Sequence, residues 1–177
     1  MIVSPGFVNI LELIDREAQV QGAGVDLSLR DISRFAGTGA LDFTNQLRRL
    51  PDTAAIEWQD PLGNELTDPS LSEQARTTYG GYAELEPGGY LVRYNEIVEV
   101  PPDAIGVILP RSSLMRSGAT LFSAVWDPGY RGRGQGLLSV WNPLRLYRNA
   151  RIGQIFFIRL EGKTKRLYDG DYQGEGV

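Results

Sequence analysis

Arg111, Ser112 and Ser113 stand in a row, and a short distance on Asp127 sits on a Pro-Gly turn within Trp126-Asp127-Pro128-Gly129-Tyr130. Arginine offers phosphate oxygens a planar fork of charged donors, and small hydroxyls with their neighbouring backbone N–H groups fill the remaining lone pairs. A carboxylate close by supplies a base for attack on phosphorus. Taken singly, each piece is ordinary, because Ser-Ser and Asp-Pro-Gly are common turn sequences. In this order and combination they point to a nucleoside triphosphate as ligand.

The composition narrows the chemistry. The 177 residues include no cysteine and no histidine. Zinc sites of the usual kind, cysteine nucleophiles and histidine bases are thereby excluded, and with them zinc-dependent deamination of nucleobases. Acid–base work falls to carboxylates, tyrosines or the two lysines, Lys163 and Lys165. The net charge of −4 is unevenly spread, residues 111–177 carrying a balance of +6 and residues 1–110 one of −10. An acidic chain makes a poor general nucleic-acid binder, whereas a local basic pocket suits one triphosphate.

These residues need a scaffold of short strands. Leu91–Tyr94, Ile97–Val100, Ile105–Leu109, Leu137–Trp141 and Ile155–Ile158 are rich in β-branched and aromatic residues, and each is bounded by Gly, Pro, Asn or Asp. Phe7, Ile10, Leu11 and Ile14 recur at helical spacing, so a helix is expected from about Phe7 to Val20. A second helix is expected to begin at Ser70, with Glu73 completing a capping box. Ala36–Ala40 reads as a flexible loop, and Trp126 and Trp141 as core or interface packing. The expected fold is mainly β, a distorted β-barrel or jelly-roll-like sandwich with one or two short helices. A single domain spanning 1–177 is expected. No apolar run reaches membrane-spanning length and no signal pattern opens the chain, so a cytoplasmic protein without membrane or nucleic-acid partners is expected.

Five blocks carry a family resemblance: Gly22-Ala23-Gly24-Val25-Asp26-Leu27, Pro110 through Gly118, Asp127 through Gly132, Ser139-Val140-Trp141-Asn142-Pro143, and Arg151 through Phe156. In order and rough spacing the chain resembles the superfamily of trimeric dUTP diphosphatases and dCTP deaminases, most closely the archaeal-type dUTP diphosphatases. The resemblance covers the first thirty residues or so and everything from about Leu85. Residues 31–81 have no place in it and read as a divergent insertion.

The resemblance implies the dUTPase fold and hydrolysis of dUTP to dUMP and pyrophosphate. Asp127 would orient and deprotonate the water that attacks the α-phosphorus. Arg111, Ser112, Ser113, Arg116 and Gln154 would hold phosphate oxygens. Tyr130 would pack against the deoxyribose, and the hairpin from Gly132 would read uracil with backbone groups. Mg²⁺ is the implied cofactor, held mainly by the triphosphate and water. A homotrimer sharing each site between subunits is the implied assembly. Asp26 would support its neighbours in the site rather than meet substrate.

Residues 168–177 hold three glycines and few apolar side chains, a composition that suits the lid such enzymes close over nucleotide. Tyr168, Tyr172 and Gln173 are its expected contacts. Asp171 and Glu175 would repel a triphosphate unless Mg²⁺ or an arginine intervenes. Deamination is the alternative activity, but Ser139 stands where the deaminases carry their glutamate, and a serine without a base cannot shuttle the protons. A regulator that binds dUTP without cleaving it is the other alternative.

Overall fold

The computed structural model describes residues 1–7, 9–60, 81–162 and 164–177. Its chain is mainly β, as expected from the short apolar runs. Along the sequence run β1 (Ile2–Val3), β2 (Asn9–Leu11), helix α1 (Arg16–Gln19), β3 (Val25–Ala36), β4 (Asp52–Ala55), β5 (Tyr82–Leu85), β6 (Gly88–Tyr94) and β7 (Ile97–Glu99). Then follow β8 (Ala104–Pro110), helix α2 (Ser112–Arg116), β9 (Ala119–Phe122), β10 (Arg131–Gly132), β11 (Gln135–Val140), β12 (Leu144–Tyr147) and β13 (Arg151–Arg159).

One antiparallel sheet runs β1-β13-β3-β6-β11-β9, with β8 also on β13 and β4 also on β3. The twelve-residue β3 is shared between its two halves, pairing with β13 through Val25–Ser28 and with β6 from Leu29 to Arg34. Register shifts between Leu29 and Asp31, and between Arg151 and Gly153, bend the sheet where β3 changes partner. The curled sheet closes on a core that includes Leu27, Leu29, Val92, Tyr94, Leu138 and Ile155. A three-stranded sheet, β10-β7-β2, and the pair β12-β5 complete the fold.

The helix expected over Phe7–Val20 does not form. A 3-10 turn at Pro5–Phe7 is followed by β2, whose Ile10 is buried and paired with Val98. Glu12 then takes a φ of +58°, which breaks any helix there, and only four residues, capped by the Asp15 carboxylate on the Ala18 amide, turn helically. Tertiary pairing with β7 thus overrides a spacing that suited both periods. Trp141 is not in the core: it is 69 % exposed, because it continues the outward face of β11 with Leu137 and Ser139 while Leu138 and Val140 point in. Trp126 is buried. The loop expected at Ala36–Ala40 is the start of a bridged hairpin, and the helix expected at Ser70 lies outside the described residues.

Candidate functional site

Two clusters gather most of the residues singled out by the sequence. The first is built on three neighbouring strands. The register places Asp26 of β3 opposite Gln154 of β13, and Pro110 at the end of β8 opposite Gly153. Asp26 is buried, and its carboxylate accepts from Arg111 Nε at 3.0 Å, from an Arg151 terminal nitrogen at 3.2 Å and from Gln154 Nε2 at 3.3 Å. Arg111 continues the ladder by donating its amide to the Ile152 carbonyl at 3.0 Å. Gly24 precedes this stretch because a Cβ there would meet the Ile155 carbonyl oxygen at 2.2 Å.

One carboxylate between two guanidiniums leaves a local surplus of positive charge. The Arg111 side chain is 31 % exposed, so the donors that Asp26 leaves free remain within reach of an anion. Ser112 and Ser113 open α2, and both are exposed. Their amides fall in a first helical turn, where the chain offers no intrahelical acceptor. Arg116 lies exposed at the far end of the same helix.

The second cluster surrounds Asp127. Trp126 and Gly106 exchange backbone hydrogen bonds, and the Tyr130 amide donates to the Asp127 carbonyl at 3.1 Å, which closes the Pro-Gly turn. This leaves the Asp127 side chain exposed on the wall of a cavity of about 690 Å³. Volumes of that order hold drug- or nucleotide-sized ligands. The same cavity is lined by Tyr130, Gln135, Tyr168, Tyr172 and Glu175, and by Phe35, Leu50, Pro51 and Thr53.

Tyr130 is buried edge-on between the rings of Trp126 and Tyr168, with centroids 5.1 and 5.4 Å away. Burial, reinforced by the nearby Glu175 and Tyr168, raises its phenol above the ordinary range, so it stays protonated. Gly134 is required beneath this cluster, since a Cβ would lie 2.1 Å from the Trp126 ring.

The tail is docked along the hairpin rather than frayed. The Gly174 amide donates to the Arg131 carbonyl at 2.8 Å, the Arg133 amide to the Glu175 carbonyl at 2.8 Å, and the Arg131 amide to Gln173 Oε1 at 2.9 Å. Gly132 lies against the Tyr130 hydroxyl and the Glu175 amide. Glu175 accepts from Gln135, and Asp171 pairs with Arg48 of the same chain.

The two clusters do not meet within one chain. Trp126 is paired antiparallel to Gly106, so Asp127 lies toward the start of β8, whereas Arg111 follows its end. Five residues of strand intervene, Gly106 to Pro110, and the six steps span about 20 Å at the usual rise. Arg151 was not singled out as a site residue, although it stands three positions before Gln154. The contribution of residues 35–53 to the Asp127 cavity carried no recognisable signal.

The dCTP deaminase-like family model matches residues 8–160. A probable deoxyuridine 5'-triphosphate nucleotidohydrolase of Aeropyrum pernix is 42% identical over 160 residues, covering 89% of this chain and 87% of the relative. The deoxyuridine 5'-triphosphate nucleotidohydrolase of Methanocaldococcus jannaschii is 37% identical over 171 residues, covering 97% and 95%. Among solved structures, a 2'-deoxycytidine 5'-triphosphate deaminase from Agrobacterium tumefaciens aligns with a TM-score of 0.57 at 20% identity, over 88% of this chain and 47% of that one. That likeness concerns the fold alone.

Proposed function

The chain belongs to the dCTP deaminase-like family, and within it we propose that this member hydrolyses dUTP to dUMP and pyrophosphate. Relatives at 42% and 37% identity over most of the chain carry the name of that activity. The observation that carries the reading is Asp127, an exposed carboxylate on the wall of a nucleotide-sized cavity. Deamination is disfavoured by Ser139, which is half-buried in β11 opposite Gly89 and Thr120, with no carboxylate on its own side chain to move protons.

In the proposed reaction Asp127 orients a water molecule and takes its proton. The water oxygen bonds to the α-phosphorus, the bond to the bridging oxygen breaks, and pyrophosphate leaves. Such a displacement depends on positioning and charge neutralisation more than on covalent chemistry. Arg111, Ser112, Ser113 and Gln154 would supply donors for phosphate oxygens, with Arg116 reinforcing the positive field. Tyr130, with Tyr168, Tyr172 and Gln173 of the tail, would bound the nucleoside.

Because about 20 Å of strand separates Arg111 from Asp127, one site would take its phosphate cradle from one subunit and its base from another. A homotrimer closes such head-to-tail contacts into a ring with three equivalent sites. Mg²⁺ is the cofactor inferred. Among the described residues no three carboxylates converge on a metal position, so the triphosphate and water would furnish most of its ligands. When bound it would neutralise phosphate charge. No helix among the described residues is long and apolar enough to cross a membrane. Because the proposed substrate is a free nucleotide, we place the reaction in the cytoplasmic nucleotide pool.

The test is product analysis with dUTP, dCTP, dTTP and UTP supplied separately with Mg²⁺. Pyrophosphate and dUMP from dUTP alone is the expected result. Conversion of dCTP to a uracil nucleotide would overturn it in favour of deamination, and no product from any of the four would favour a binder without turnover.

A further inference from the structure

The hairpin formed by residues 37–51 lies in the stretch that no motif accounts for, yet three sets of bonds make it a defined arm. At its root β4 pairs with the end of β3, from Ser33 opposite Ala55 to Ala36 opposite Asp52. Midway, Ala40 and Arg49 exchange backbone hydrogen bonds of 2.8 and 2.9 Å. At its tip the Asp42 carboxylate accepts from the amides of Thr44, Gln46 and Leu47 at 3.1 Å each and from the Thr44 hydroxyl at 2.7 Å. An arm fixed in this way presents Arg48 in one place.

Arg48 is where the arm meets the tail. Its guanidinium pairs with Asp171, 123 residues away in sequence. On one side of that pair the root of the arm, Phe35, Leu50, Pro51 and Thr53, walls the Asp127 cavity. On the other the tail crosses the same cavity with Tyr168, Tyr172 and Glu175 and ends on the β10 hairpin. The tail carries three carboxylates, Asp169, Asp171 and Glu175, and any that faced a polyanionic ligand unpaired would oppose closure. Glu175 is held by Gln135 and Asp169 by Arg166, while Asp171 depends on the arm.

We propose that Arg48 is a positioning residue that latches the carboxy-terminal tail through Asp171 and so sets how firmly the site holds its anionic nucleotide. The arm thereby belongs to the functional site although it touches no reacting atom. The proposal rests on the dUTP reading for its kinetic readout only. The pair is partly exposed, so its effect is bounded at about fivefold. Arg48→Glu should raise KM for dUTP by about fivefold and leave kcat within about twofold, Arg48→Lys should recover most of the loss, and the swap Arg48→Asp with Asp171→Arg should restore binding.

Hydrogen exchange on the unliganded protein supplies a readout independent of turnover. The Gly174 and Glu175 amides should exchange several-fold faster in Arg48→Glu and return toward the parent rate in the swap. Unchanged exchange and unchanged KM in Arg48→Glu would overturn the latch. A swap that leaves exchange fast and KM high would also overturn it, by showing that Arg48 acts other than through Asp171. Should the parent protein fail to hydrolyse dUTP, the functional reading falls while the exchange data still decide whether the latch exists.

Discussion

The Asp26 cradle and the Asp127 cavity are built on opposite plans. Asp26, Gln154 and Arg111 project from adjoining strands whose register fixes their separations before any ligand arrives, and the carboxylate holding them together is buried. The cavity takes its walls from a turn, a hairpin, an arm and the chain's last ten residues. Binding charge calls for preorganised donors, whose worth depends on not having to reorganise. Admitting and enclosing a nucleoside calls for parts that can move, and such parts come from weakly packed segments. The division gives each half a distinct way to fail.

Removing the proposed base should have the largest effect. Asp127→Asn is expected to lower kcat for dUTP by about 10²–10⁴-fold, the usual worth of a positioned base, while nucleotide still binds with near-parent affinity in equilibrium titration. A loss confined to KM would place Asp127 among the binding groups. Breaking the cradle should act first on stability. Asp26→Ala leaves Arg111 and Arg151 facing each other without their shared partner and should cost about 3 kcal/mol in denaturant unfolding, together with most phosphate affinity. A cost below about 0.5 kcal/mol, the range of ordinary surface substitutions, would mean that the cradle is not organised by Asp26.

On the cavity side, Gly134→Ala forces the Trp126 ring aside and should cost about 1–3 kcal/mol. It should also weaken nucleotide binding, since Tyr130 leans on that ring. The smallest effect concerns pH. Glu96, fully buried, accepts from the Ser28 amide and hydroxyl and from Gln19, whose side chain also donates to the Asp26 carbonyl. Burial raises its pKa above the ordinary 4.5, and these hydrogen bonds only partly offset the shift. A carboxyl with a raised folded pKa contributes stability below about pH 4.5 that is lost as pH rises through the folded value. Melting curves of Glu96→Gln should therefore gain on the parent as pH is raised from 4.5 toward neutrality. A constant difference across that range would show that Glu96 does not titrate as its burial demands.

Of the strands carrying the cradle, β8 and β13 were legible because β-branched runs bounded by Gly and Pro have few other solutions, and the mainly β fold follows from such runs. Arg111 and Asp127 stood out by type and setting, and Gln154 only through the family resemblance. The amino-terminal segment misled because Ile10, Leu11 and Ile14 fit a helical period, while the pairing of β2 with β7 depends on residues some ninety positions away. Of the core-or-interface expectation for Trp141 only the core half fails, because alternation along β11 turns it outward. Arg151 was overlooked because a local pattern does not reveal that two arginines share one carboxylate. The arm was illegible for the same reason: Arg48 gains its meaning only from Asp171, and Leu50 and Pro51 only from the cavity they close.

Complementation between two variants tests most directly whether one site draws on two chains. Arg111→Ala and Asp127→Asn would each be inactive alone, then mixed in equal amounts under conditions where subunits exchange, with exchange verified by mass. A site shared between subunits predicts that about a quarter of the sites regain both Arg111 and Asp127, so that dUTP hydrolysis returns to roughly that fraction of the parent rate. A mixture that exchanges fully yet stays as inactive as either variant would contradict the shared site, and would mean that a single chain brings Arg111 and Asp127 together.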